Sequence, residues 1–269
     1  AYSQRGRARS GRGGQLILKL LLLDIETAPN LVHVWGLYQQ NVGVNQIIDS
    51  GYVMCWAAKW YGEKELVFDS IHRSRPKSML GRVHKLIGQA DALVHYNGTS
   101  FDVPTLNKEF LIYGLKPPAP AKQIDLYRVA KRQFRFPSKK LEYIAKSLGL
   151  GEKTRHEGHE LWIKCMAKDP EAWERMEQYN RNDVVLLERV YQRMLPWINQ
   201  HPNHGVYDEP GIPVCPNCGS GHLQRRGFSR TQVNKYARYQ CQECGSWTKE
   251  AGSELAKEDR QLIMRRDIG

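Results

Sequence analysis

An apolar run that ends in two acids constrains this chain more than any other feature. Residues 16–23 read Leu-Ile-Leu-Lys-Leu-Leu-Leu-Leu and pass directly into Asp24-Ile25-Glu26-Thr27. The run is too short to span a bilayer, and no small-residue cleavage site follows it. The basic flank of Arg5, Arg7, Arg9 and Arg12 therefore does not make it a targeting peptide. It reads as a buried strand. Side chains alternate along a strand, so Asp24 and Glu26 share one face while Ile25 turns into the core. Two adjacent carboxylates at the end of an apolar strand are costly unless a cation neutralises them. A pair of solvated acids is the simpler alternative for this segment taken alone.

Two further segments carry acids in readable contexts. The stretch from His95 to Pro104 contains Asn97-Gly98-Thr99, which is turn chemistry, and then Asp102 in the first turn of an expected helix. Asp102 there suits the positive end of the helix dipole as well as it suits a site. In Tyr179-Asn180-Arg181-Asn182-Asp183 the outer pair lies four residues apart on a helix and shares a face. A structural Tyr–Asp contact is the plain alternative.

The order of elements predicts the fold class. Residues 52–61 and 65–69, around the turn at Gly62-Glu63, suggest a hairpin, and residues 32–38 a further strand. Helical spacing appears over residues 78–88 and 101–113. Short strands are expected at 91–96 and 123–126, then helices to Trp197, the longest covering about 171–198. Strands first, then strands alternating with helices, imply an α/β layer fold with a mixed sheet flanked by helices. The expected organisation is a disordered basic arm over 1–15, a larger α/β domain over 16–205, and a linker over 206–213. A cysteine-bound module over 214–250 and a tail over 251–269 complete it.

Charge placement adds a partner class. The formal net charge is +12, yet residues 1–19 hold five basic and no acidic side chains, and residues 210–269 hold ten basic and six acidic. The long middle is close to neutral. Basic appendages around a balanced body suit a polyanion held by the ends and worked on by the body.

Taken together, the three acidic segments resemble the exonuclease motifs of the DEDD superfamily. The matching residues are Asp-Ile-Glu-Thr at 24–27, Tyr-Asn-Gly-x-x-Phe-Asp-x-Pro at 96–104 and Tyr-x-x-x-Asp at 179–183. The second and third are most similar to the proofreading domain of B-family DNA polymerases and to stand-alone exonucleases of bacteriophages. The resemblance covers roughly residues 16–200 and implies a ribonuclease H-like fold. Gln178 stands where one subclass places histidine, whereas Tyr179 fills the tyrosine position, so the match is to the tyrosine subclass, DEDDy.

The resemblance implies a two-metal 3′→5′ exonuclease that releases nucleoside 5′-monophosphates, with DNA favoured over RNA. Asp24, Glu26, Asp102 and Asp183 would hold two Mg²⁺ or Mn²⁺ ions, hard cations that suit oxygen ligands. Tyr179 would orient the attacking water, since a phenol of pKa about 10 is a poor base at neutral pH. Asn97 and Phe101 match positions lining the substrate strand, although Phe101 suits a core position equally. His156 and His159 form a His-x-x-His in a glycine-rich loop and read as bystanders. An exoribonuclease with the same site, or a non-catalytic nucleic-acid-binding protein that kept the fold, are the rival readings.

Four of the six cysteines form two Cys-x-x-Cys pairs, Cys215/Cys218 and Cys241/Cys244, while Cys55 and Cys165 sit in apolar surroundings. Such pairs make knuckles that together supply the four tetrahedral ligands of a closed, structural zinc site. The segment resembles a zinc ribbon of the type found in transposases and transcription factors. Between the knuckles, Arg225, Arg226, Arg230, Lys235 and Arg238 alternate with Phe228, Tyr236 and Tyr239, which suits phosphate contact with base stacking. A protein-docking surface is the alternative there. The expected setting is a reducing cytoplasm, bacterial or phage-infected, with no membrane and with replication or recombination proteins as partners.

Overall fold

The structure, a computed structural model, describes residues 18–154, 157–208 and 210–265. The expected basic arm and His156 lie outside the described residues. Two compact units divide between Ile198 and Asn199. Among the described residues, no helix is long and apolar enough to cross a membrane.

The larger unit is built on β1 (Leu20–Thr27), followed by two short strands, β2 (Leu31–Val32) and β3 (Ile47–Asp49), that pair only with each other. The chain continues through β4 (Val53–Trp60), β5 (Leu66–Ser70), α1 (Pro76–Ile87), β6 (Ala92–His95), α2 (Asp102–Ile112) and β7 (Lys122–Asp125). Four helices complete the unit: α3 (Leu126–Gln133), α4 (Leu141–Ser147), α5 (His159–Met166) and α6 (Pro170–Met194). The main sheet has the order β5-β4-β1-β6-β7, with β4 antiparallel to β1 and β6 parallel to it. It is a mixed α/β sheet flanked by helices, as the alternation of elements predicts.

β1 is central because its side chains are apolar on both faces. Leu20 to Leu23 are all nearly inaccessible, with strands on either side. Each such leucine contributes roughly 2 kcal/mol of transfer free energy. One face packs on α1 and α2 through Met79, Leu80, Val83, Leu106 and Phe110. The other meets α6, whose buried stripe includes Met176, Val184, Leu187 and Val190. Asp169 caps α6 by accepting from the Glu171 and Ala172 N–H groups, and Pro170 fills the first turn, where no donor is needed.

The strand expected over residues 32–38 shrinks to Leu31–Val32. Beyond Val32 the chain finds no partner strand, Gln39 takes a positive φ of 52°, and Trp35, Leu37 and Tyr38 stand almost fully exposed. Apolar content without a neighbouring ladder does not sustain a strand.

The smaller unit contains α7 (His204–Tyr207), a three-stranded antiparallel sheet of β8 (Leu223–Arg230), β9 (Lys235–Cys241) and β10 (Trp247–Lys249), and α8 (Lys257–Gln261). Each Cys-x-x-Cys forms the same turn. The Gly219 and Gly245 N–H groups donate to the Cys215 and Cys241 carbonyls at 2.9 and 3.1 Å, and both glycines take positive φ. Four cysteines gathered beside a small antiparallel sheet fit a zinc ribbon.

Candidate metal centre and its cleft

The strand geometry places Asp24 and Glu26 on the face of β1 that meets α6. Helix periodicity then presents Tyr179, Asn180 and Asp183 to the same space, since all three are buried on the sheet-facing side of α6. Carboxylate oxygens of Asp24, Glu26 and Asp183 lie within 4.8 Å of one another. Asp102, in the first turn of α2, is buried beside them and accepts the Ile25 N–H at 3.3 Å. Asp24 accepts from the Asn180 amide at 2.7 Å.

Such crowding has an electrostatic price. Burial, together with Asp183, Glu26 and Asp102, holds the Asp24 carboxyl well above its usual range. Burial and Asp183 push Glu26 up to about 8, and burial pushes Asp102 up to about 7. Carboxyls this close cannot all ionise unless a cation joins them. Hard oxygen donors converging within one ion's reach fit a divalent cation of the Mg²⁺ or Mn²⁺ kind.

One cation near them is Lys153, in the loop between α4 and α5. Its ammonium pairs with Asp183 and donates to the Tyr179 hydroxyl at 2.9 Å. Burial alone would lower the Lys153 pKa, but Asp183 and Tyr179 more than offset this and raise it. The Tyr179 phenol is itself held above its usual value by burial and by Asp183, so it stays protonated at neutral pH. Trp162 packs edge-on against its ring with centroids 6.0 Å apart.

Asp24 opens into a cleft of about 610 Å³ lined also by Asn97, Tyr127, Lys139, Lys153 and Tyr179, among others. Asn97 takes a positive φ of 66°, and its N–H donates to Asp125 Oδ1 at 2.9 Å. Asp125 also accepts from the Thr99 and Tyr127 N–H groups, so one carboxylate holds the turn before α2 and caps α3. Gly98 is needed at this turn because a Cβ would lie 2.5 Å from the His95 ring. Phe101 is 46% exposed at the start of α2, and so is not a core residue. His159 is an exposed residue that opens α5.

In the second cluster the four cysteine sulfurs lie within 4.8 Å of one another, with Cys215–Cys244 and Cys218–Cys241 each at 3.6 Å. A tetrahedron with zinc–sulfur bonds of about 2.3 Å has edges of roughly 3.8 Å, so the donor set fits that ion. Cys55 and Cys165 are buried elsewhere.

On the hairpin, Arg225 pairs with Glu254, Lys235 Nζ lies 3.8 Å from the same carboxylate, and Arg225, Arg230 and Lys235 surround the Phe228 ring. Arg238 donates to the exposed Arg226's carbonyl at 3.2 Å and lies over Trp247.

The family model described as RNase_H superfamily matches residues 21–195. Among curated proteins, no sequence matches the chain. Among solved structures, the family B DNA polymerase from the hyperthermophilic archaeon Pyrobaculum calidifontis is similar at 19% identity and a TM-score of 0.49. That similarity covers 66% of this chain and 25% of the polymerase, so the chain spans about a quarter of that protein's length.

Proposed function

This chain belongs to the RNase_H superfamily, and on that premise we propose that it is a metal-dependent 3′→5′ exonuclease of the DEDDy type acting on single-stranded DNA ends. The reading rests on one observation above others, the meeting of Asp24, Glu26 and Asp183 oxygens within 4.8 Å. Asp24 and Glu26 lie far from Asp183 in sequence, and Asp24 also lines an open cleft.

Asp24, Glu26 and Asp183 would hold one divalent cation, and Asp24 with Asp102 would support a second. When bound, such ions offset the repulsion between carboxylates and phosphate and make a hydroxide available at neutral pH. Tyr179 keeps its proton, so its hydroxyl orients the attacking water by hydrogen bonding instead of deprotonating it. Lys153 fixes that hydroxyl and balances Asp183. Asn97 lines the cleft and would bond to the terminal nucleotide, and Phe101, exposed at the start of α2, would stack on it. The four ribbon cysteines would hold one Zn²⁺ with no open coordination position, which makes that ion structural.

Digestion of 5′-labelled single-stranded DNA and matched RNA with Mn²⁺ or Mg²⁺ tests the proposal. The expected result is stepwise shortening from the 3′ end, release of nucleoside 5′-monophosphates, and no cleavage by Asp24→Ala. Internal cuts, activity that survives Asp24→Ala, or faster digestion of RNA would each contradict it.

A further inference from the structure

The ribbon sheet has two faces of different electrostatic character. Along β9, residues 235, 237, 239 and 241 face one side, and residues 236, 238 and 240 face the other. Pairing register adds Arg225, opposite Tyr239, and Phe228, opposite Ala237, to the first side. It adds Trp247, opposite Gln240, and Lys249, opposite Arg238, to the second.

The first face is already neutralised in part. Glu254 engages Arg225 and Lys235 there, and Glu250 accepts the Tyr239 hydroxyl at 2.5 Å. A phosphate arriving at Arg225 meets a carboxylate that already holds the guanidinium.

The second face carries no such counter-charge. Among the described residues, no carboxylate pairs with Arg238 or Lys249. Each cation lies over an aromatic ring on the same face, Arg238 at 4.9 Å from the Trp247 ring centre and Lys249 at 4.4 Å from that of Tyr236. Trp247 is 54% exposed and shares this face with Tyr236 and the two cations. Alternating cations and open rings offer charge to a backbone of phosphates and flat apolar surface to bases. An acidic peptide would use the cations and leave Trp247 idle.

We propose that a single strand of DNA binds across the face formed by Tyr236, Arg238, Trp247 and Lys249, with bases stacked on the rings and phosphates on the cations. The inference rests on the nuclease reading for the kind of strand, but not for the binding itself. It also moves the contact away from Arg225 and Lys235, and brings in β10, which lies beyond the second knuckle.

The experiment uses the full chain carrying Asp24→Ala, so that bound strands stay intact, and fluorescein-labelled oligo(dT) followed by fluorescence anisotropy at several salt concentrations. Adding Trp247→Ala should weaken binding about tenfold. Adding Arg238→Ala should weaken it similarly and reduce the salt slope by about 0.7. Arg225→Ala should change the affinity less than twofold. Zinc content checks that each ribbon remains folded, and Trp247→Phe should restore most of the lost affinity.

Unchanged affinity in Trp247→Ala, or a larger loss in Arg225→Ala, overturns the assignment. So does competition by poly-glutamate that is insensitive to Trp247→Ala, because that outcome identifies an acidic protein as the partner. Digestion by the unmutated chain is scored separately. A chain that binds through Trp247 yet never cleaves would refute the nuclease reading alone.

Discussion

The side-chain amide of Asn180 donates to Asp24 Oδ2 at 2.7 Å and so ties α6 to β1 across 156 residues of sequence. Asn180 is fully buried. Removing its amide strips the half-buried Asp24 carboxyl of a donor, a loss of about 1–3 kcal/mol. Asn180→Ala is expected to lower the melting temperature by roughly 5 °C, read by scanning calorimetry. DNA cleavage should fall about tenfold with a raised Mn²⁺ requirement, because Asp24 is no longer aimed.

Lys153 joins Asp183 and the Tyr179 hydroxyl, and both contacts bear on the placement of water rather than on strand binding. Lys153→Ala should lower the single-turnover cleavage rate by about 10²-fold, in the range of losses seen when a positioned polar group is removed. Affinity for the strand should change by less than threefold. A loss confined to affinity would show that Lys153 holds phosphate instead.

The raised carboxyls fix how the metal-free protein responds to pH. Glu26 moves from 4.5 to about 8 and Asp102 from 3.8 to about 7. Below about pH 3 both groups are protonated in the folded and unfolded chains alike. Their contribution to stability is then fully present. As pH rises the unfolded chain releases these protons first, so stability falls until the folded site has also ionised, near pH 8. Metal-free protein should therefore melt several degrees lower at pH 8 than at pH 5.5, from this site's contribution. Added Mn²⁺ should remove most of that difference. Asp24→Asn should abolish cleavage yet leave most of that difference in the metal-free protein, because burial and Asp183 raise Glu26 and burial raises Asp102.

At the turn before α2, Gly98→Ala should drive a Cβ against the His95 ring, which lies 2.5 Å from that position. Overpacking of this kind costs about 1–3 kcal/mol. Chemical denaturation should report the loss, and cleavage should fall with it because Asn97 and Asp102 flank the displaced turn.

Cys215→Ser with Cys218→Ser removes half of the sulfur ligands. Native mass spectrometry should show one Zn²⁺ lost per chain. A first, low-temperature melting step for the ribbon should appear, while the sheet of the larger unit melts unchanged.

Much of this site was legible because it follows short-range periodicities. Alternation alone puts Asp24 and Glu26 together, and i,i+4 spacing puts Tyr179 beside Asp183. The apolar leucines of β1 announce a strand covered on both faces, and the two knuckles announce a four-sulfur cluster. The missing pieces depend on long-range placement. Lys153 lies in a loop with no periodicity, and the packing of its flanking helices α4 and α5 against α6 brings its ammonium to Asp183. Asp125 reads as an ordinary helix cap, which it is for α3, but its second set of contacts joins a turn more than 25 residues away. Asn180 was findable, because it lies three residues before Asp183 on the same helical face. The shortened strand after β1 shows the converse, since Trp35 and Tyr38 have the right residue type but no neighbour to pair with.

Register along β1 leaves little room for compromise. Asp24 lies opposite Ala57 and Glu26 opposite Cys55 in the antiparallel ladder. Sliding β1 by a single position would send both acids into the apolar layer under α1 and turn Ile25 toward the cleft. No misaligned intermediate can thus keep a fraction of the active centre. Where a defect acts only on the register of β1, half the normal turnover should mean half correctly threaded molecules and half inert ones.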